Sequence, residues 1–303
     1  MAIAASAASE AGEKVALERP RQTHRLKRLD RSVYLNLVAV PLLLLISFFW
    51  AYPFLWTIST AFKTQLGAFT AGASLVPHPL ELGNFARAWV TAGFSNYTAN
   101  SFIYAVSSTL VELIKSALCG YVLARYRFPG RDLLYKIIVL TLFVPIVSIV
   151  IPQFVLIEHL GLLNSRLGVI LAQSGGAGAL YVLLFTGFFE NLPQELFDAA
   201  RVDGAGFLQT FWLMLPLARP IIAVVVIFQF VYSWNDFTIP LIFTLGQPNL
   251  QNLAVGMLYF QGTHTFDWTG FAAGILMSFT PVLLVFLAFQ GYFVRGLAGA
   301  VKG

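Results

Sequence analysis

The chain has 303 residues, of which 58% are hydrophobic and only 11% charged, with a formal net charge of +5. A soluble domain carries about 25% charged residues, and its exterior must face water, so this composition excludes an ordinary soluble enzyme and points to lipid as the solvent. The basic excess does not mark a nucleic-acid face, because most Lys and Arg fall near the start and in short loops; no nucleic-acid partner is expected.

Residues 1–32 begin Ala-rich and turn basic at Arg19, Arg21, Arg25, Lys27, Arg28 and Arg31. A secretory signal needs a charged start, then an apolar core and a cleavage site. That order is absent, so 1–32 reads as a cytoplasmic tail. A basic amphipathic helix lying on anionic lipid over 19–31 is the second reading.

A helix needs about 20 mainly apolar residues to cross a hydrocarbon core of about 30 Å. Six stretches meet this: Val33–Ile58, Ala99–Leu123, Ile137–Ile157, Leu167–Phe189, Ile221–Phe243 and Gly270–Phe293. Barrel strands would be about half as long and alternate in polarity. The expected fold is therefore an all-α membrane protein with six transmembrane helices in a domain over 33–294. Prolines at 41, 53, 145, 152, 240 and 281 are expected to bend their spans.

In the second span Glu112 and Lys115 stand at i, i+3, where they neutralise each other on one helix face. A charge near the bilayer centre costs about 2.5–3.5 kcal/mol, so such residues face protein or water. A structural pair facing a neighbouring helix is preferred to a functional one. Cys119 is the sole cysteine, which rules out a disulfide within the chain and a cysteine-built metal site.

The loop after span four, 191–216, reads as two short helices. Asn191 is the expected cap and Pro193 suits the first turn. Glu195 and Asp198 place negative charge near the positive helix end. Leu196, Ala199 and Ala200 make one small apolar face, and Gly204 ends the helix in a left-handed turn. A second helix over Phe207–Met214 leads through Leu215 and Pro216 into span five. Periodicity leaves two readings: a rigid knob for another protein's groove, or a connector on the membrane surface.

Trp234, Asn235 and Asp236 combine an aromatic ring with polar groups toward the outer part of span five. They suit a sugar, whose hydroxyls hydrogen-bond and whose faces stack on rings. They suit equally the backbone groups freed by Pro240. His24, His78, His159 and His264 are scattered over the tail and outer loops, and no metal site is expected. There is no G-x-x-x-x-G-K-S/T loop and no nucleophile motif, so the chain is not expected to be an enzyme or to hydrolyse ATP itself.

Basic residues set the orientation. With the N-terminus inside, the inner segments hold Lys14 and the tail arginines, then Arg125, Arg127, Arg131, Lys136, Arg201, Arg219, Arg295 and Lys302. The outer segments hold only Lys63, Arg87 and Arg166. Both termini are thus expected in the cytoplasm.

The stretch Asp198-Ala199-Ala200-Arg201-Val202-Asp203-Gly204-Ala205, followed by Leu215-Pro216-Leu217, resembles the cytoplasmic loop of ATP-binding-cassette importer permeases, of the form E-A-A-x-x-x-G with a later L-P. Asp198 stands where that family usually has Glu, which keeps the charge and shortens its reach. Asn100-Ser101, the run Gly120 to Arg131, Gly161 to Ser165, Trp234 to Phe237 and the ending Val294 to Gly303 narrow the resemblance to the carbohydrate branch, similar to the second membrane subunit of the maltose importer.

The resemblance implies a type I importer permease fold in a bacterial or archaeal inner membrane, crossing it several times. It implies a homologous second permease, two ATPase subunits carrying ATP and Mg2+, and an extracellular substrate-binding protein, with no cofactor on this chain. Glu195, Asp198, Ala199, Ala200, Asp203, Gly204 and Ala205 would couple to the ATPase. The tail 295–303, through Arg295, Gly296 and Lys302, would add a second contact. The outer loop Gly246–Thr269 would meet the binding protein. ATP binding would then drive alternating access. An ion-gradient-driven transporter and a non-transporting scaffold are the rivals from other classes; glycerol phosphate is the rival substrate to a neutral sugar.

Overall fold

The computed structural model describes residues 25–70, 74–175, 178–262 and 265–300. Of the tail expected at 1–32, residues 1–24 lie outside them, as does the candidate Lys302, while 25–32 belong to the first helix. Contacts divide the chain into two compact units, Met1–Trp56 and Thr57–Gly303.

Numbered by helices of eight residues or more, the order is α1 (Arg25–Ala61), α2 (Phe94–Arg125), α3 (Arg131–Thr141), α4 (Ile146–His159), α5 (Arg166–Gln173), α6 (Gly178–Glu190), α7 (Gln194–Val202), α8 (Phe207–Met214), α9 (Arg219–Asn235) and α10 (Trp268–Ala300). Among the described residues the β-structure is one isolated bridge, Gln261 with Phe266.

The first unit holds most of α1. Leu43, Phe49 and Trp50 lie exposed on it, and none of its apolar window is buried. A helix that is apolar all round belongs in lipid or a large core. Pro41 and Pro53 sit inside α1 without ending it.

In the second unit α2 is the central element, packed along α6 and α9, while α9 also packs along α10. Lipid tails supply no hydrophobic drive between helices, so association rests on close approach by small residues. α2 buries Ser101, Ala105, Ser108, Ser116, Ala117 and Gly120, and with Glu112 in the gap the positions 101, 105, 108, 112, 116 and 120 follow at three or four residues. A Cβ added at Gly120 would stand 2.6 Å from Phe185 Cβ and 2.8 Å from Thr186 N, so glycine alone allows α2 and α6 to touch there.

Four described helical runs are long and apolar enough to cross a membrane: Leu37–Ala61, Phe94–Arg125, Phe207–Asn235 and Trp268–Ala288. A fifth follows if α5 and α6, bent by 54° at their break, form one span. The stretch expected as span three departs from a single helix. α3 ends at Thr141 and α4 begins at Ile146, with Pro145 extended between them at φ −60°, ψ 129°. Proline lacks an N–H and drives the residue before it out of the helical region, so the run splits.

The stretch expected as span five also ends early. α9 stops at Asn235, and Pro240 sits in a separate helix, Thr238–Phe243. Asp236 Oδ1 accepts the N–H groups of Thr238 at 3.0 Å and Ile239 at 3.3 Å, which starts the new turn. At the other end α10 runs on to Ala300, so Arg295 and Gly296 continue the last helix.

Candidate functional site

The segment singled out by its sequence is built around α7. Helix α6 ends at Glu190, and Asn191 donates its side-chain amide back to Gly187 O at 2.8 Å. Asn191 is therefore spent on closing α6 and does not cap α7; Pro193 occupies that position, with no side-chain cap. Extended backbone before α7 suits a proline, whose missing N–H costs nothing at a helix start.

The far end of α7 closes in a Schellman turn. Gly204 has φ +78°, its N–H donates to Arg201 O at 3.0 Å, and Ala205 N–H donates to Ala200 O at 2.9 Å. No atom lies within 4 Å of a Cβ built at Gly204, so the backbone conformation alone requires glycine. Gln209 then accepts Gly206 N–H at 2.7 Å and opens α8.

The inner face of α7 is Phe197 and Ala200, both buried. Phe197 stacks on Tyr121 with centroids 6.4 Å apart and rings 21° from parallel. Tyr121 in turn lies 5.5 Å from each of Phe189, Phe207 and Phe211. Arg125 sits 3.8 Å over the Phe197 ring, donating also to Leu192 O at 2.6 Å and Gln194 Oε1 at 3.2 Å. Arg131 adds a tie between Leu123 O at 2.7 Å and Glu190 at 3.1 Å.

The outer face follows from that grip. Glu195, Asp198, Ala199 and Val202, at i, i+3, i+4 and i+7, are all exposed, Val202 at 87%. The expected apolar face of Leu196, Ala199 and Ala200 is thus divided: Ala200 points inward, while Leu196 and Ala199 remain outside. The aromatic cluster decides the rotation of the helix, and it lies too far away in sequence for periodicity to register. Asp198 accepts from Gln194 at 3.0 Å and lies 3.6 Å from Arg201, so its charge is oriented along the helix. Asp203 and Gly204 are exposed and Ala205 is half-buried.

Within the apolar region Glu112, fully buried, pairs with Lys115 at 2.7 Å. Lys115 also donates to Ser174 O, and both charged tips meet Gly178, where a Cβ would lie 3.0 Å from Glu112 Oε1 and 3.1 Å from Lys115 Nζ. The pair therefore sits against the start of α6. Trp234 is buried, stacked on Phe230 with its Nε1 donating to Ser278 O at 3.0 Å. Asn235 is exposed and donates to Val231 O at 2.9 Å. Asp236 Oδ2 accepts from Gln173 at 2.9 Å. Asp236 lines a cavity of about 240 Å³.

The segment 246–269 is anchored from two sides. Asn100 donates to Asn249 O and Gln251 O, Tyr104 to Leu250 O at 2.6 Å, and Ser101 Oγ accepts Leu253 N–H at 2.8 Å. Asp267 is held by Arg87 at 2.8 Å, Thr269 at 3.2 Å and Gly270 N–H at 2.9 Å. Burial pushes the Asp267 carboxyl up, but the Gly270 hydrogen bond, the Arg87 guanidinium and Thr269 outweigh it and hold the group below its usual range.

Comparison with known proteins places this architecture. The family described as the binding-protein-dependent transport system inner membrane component matches residues 116–299. A diacetylchitobiose uptake permease of Streptomyces coelicolor is 35% identical, over 86% of this chain and 85% of its own. A melibiose, raffinose and stachyose import permease of Bacillus subtilis is 32% identical over 83% and 91%. An sn-glycerol-3-phosphate permease of Yersinia pestis is 33% identical over 77% and 85%. A bacterial ABC transporter involved in import of the acidic polysaccharide alginate shares the fold at a TM-score of 0.73, with 22% identity over 91% of this chain and 99% of that one. The chain belongs to the family of inner membrane permease components of binding-protein-dependent importers. Family membership decides between this class and the ion-gradient-driven alternative.

Proposed function

We propose that this chain is half of the translocation pathway of an ATP-driven sugar importer, and that the exposed face of α7 docks on an ATPase subunit. The observation that carries the reading is the split character of α7. One face is clamped by Tyr121, Arg125 and the Schellman turn, while Glu195, Asp198, Ala199 and Val202 are left uncovered together. A rigid element with a free mixed face is what a rigid-body push requires.

Around this core the arrangement is six spans over 33–294 with both termini in the cytoplasm. α4 and the bent α5–α6 pair supply the crossings beyond the four continuous ones. A homologous second permease completes the pathway, and two ATPase subunits hold ATP and Mg2+. An extracellular binding protein delivers the solute to the side of segment 246–269. The end of α10, with Arg295 and Gly296, and Lys302 beyond it, adds a second ATPase contact. The relatives' printed substrates include neutral oligosaccharides and a phosphorylated polyol; the lining of the Asp236 cavity, without Lys or Arg among the described residues, supports a neutral sugar.

The test is ATPase stimulation by sugar-loaded binding protein in the reconstituted complex. Val202→Glu changes an exposed side chain, so folding stays within about 0.5 kcal/mol, while the docking face gains a charge. Gly204→Pro breaks the turn itself. Stimulated wild type with both variants uncoupled is expected. Unchanged stimulation in both would reduce α7 to a connector.

A further inference from the structure

The Asp236 cavity lies between α4 and the start of the Thr238–Phe243 helix, and its chemistry is selective. Gln153, Tyr232, Asp236 and Thr238 supply polar atoms, set against Val150 and Ile239. Asp236, on the cavity wall, is held in place by accepting from Gln173, Thr238 N–H and Ile239 N–H. Gln153, which also lines the cavity, donates its amide N–H to Ala172 O at 3.3 Å. The Tyr232 and Thr238 hydroxyls make no hydrogen bond among the described residues. Among the described residues no Lys, Arg or His lines the space.

We infer that this cavity is a subsite for one ring of a neutral, polyhydroxylated solute, and that it turns away anionic ones. The inference rests on the importer reading above and adds the place on this chain where the solute is held. Hydroxyls that donate and accept match the two protein hydroxyls of Tyr232 and Thr238, on a wall that also carries Val147, Ile149, Val150 and Ile239. A phosphate or sulfonate would meet the Asp236 carboxylate with no cation to offset it, and like charge at close range selects against a ligand as firmly as contacts select for one. A lipid chain in the same space would bury the Tyr232 and Thr238 hydroxyls against methylenes without partners, which is costly.

The experiment is uptake into vesicles holding the complete importer with its binding protein, with maltose, trehalose and melibiose as neutral probes and sn-glycerol 3-phosphate as the anionic one. ATP hydrolysis is followed in the same vesicles. The double variant Tyr232→Phe, Thr238→Val is expected to raise the half-saturating concentration of a transported neutral probe by about fivefold or more, the effect of two lost hydroxyl hydrogen bonds. Asp236→Asn keeps the cap on the following helix, because an amide oxygen still accepts, and is expected to narrow the gap between neutral and anionic probes. Neutral uptake indifferent to the double variant, or wild-type preference for glycerol phosphate, overturns the subsite. A complex whose ATPase no loaded binding protein stimulates removes the importer reading itself, and the subsite with it.

Discussion

Arg125 shows how much one side chain at a helix end can fix. Its flat guanidinium covers the Phe197 ring while two of its N–H groups reach Leu192 O and Gln194. Lysine carries the same charge but has no planar fork to stack and donate at once. Arg125→Lys is therefore expected to weaken the hold on α7 by roughly 1–2 kcal/mol, combining a cation–π contact and a hydrogen bond. Limited proteolysis at the α6–α7 junction checks it, with faster cleavage expected in the variant. Gly204 and the acids of α7 were legible from their order along the chain, because a left-handed residue after a short helix has few alternatives to glycine. Arg125 and Tyr121 were not legible as partners of Phe197. They end a different span, and no periodicity links residues so far apart.

At the scale of elements the same contrast recurs. Apolar runs identified the helices of the membrane region, but the breaks inside those runs depend on backbone geometry that hydropathy does not register. Pro145 divides one run, and Asp236 ends another by capping the turn that follows it. The stripe of small residues on α2 is the counterpart inside a continuous helix. It sets how near α6 can come, with Gly120 at the tightest point. Gly120→Val must push Phe185 and the Thr186 backbone aside, an overpacking cost of about 1–3 kcal/mol. A lower unfolding temperature of the detergent-solubilised chain is the expected result, while Gly187→Ala, at a glycine with nothing within 4 Å of its Cβ position, serves as the mild control.

For the whole molecule, the basic residues and the placement of the two anchored regions make one topological statement. Val202 and Tyr259 are both exposed, and the distribution of basic residues predicts that they face opposite sides of the membrane. With Cys119 replaced by Ala, Val202→Cys is expected to react with a membrane-impermeant thiol reagent only when the inner side is opened. Tyr259→Cys is expected to react in sealed cells whose outer barrier has been made permeable. Labelling of both from the same side would overturn the orientation. The large apolar faces left on Leu43, Phe49, Phe143 and Leu284 are consistent with a chain that meets lipid over much of its surface.

α2 joins the two anchored regions directly. It runs for 32 residues, about 48 Å of helix at 1.5 Å per residue. Near its start Asn100, Ser101 and Tyr104 grip the backbone of 249–253; at its end Tyr121 and Arg125 grip α7. No proline interrupts it, and sharp helix kinks need such a cause. It therefore behaves as a strut with a clasp at either end. A displacement delivered to one clasp is expected at the other for as long as both clasps hold.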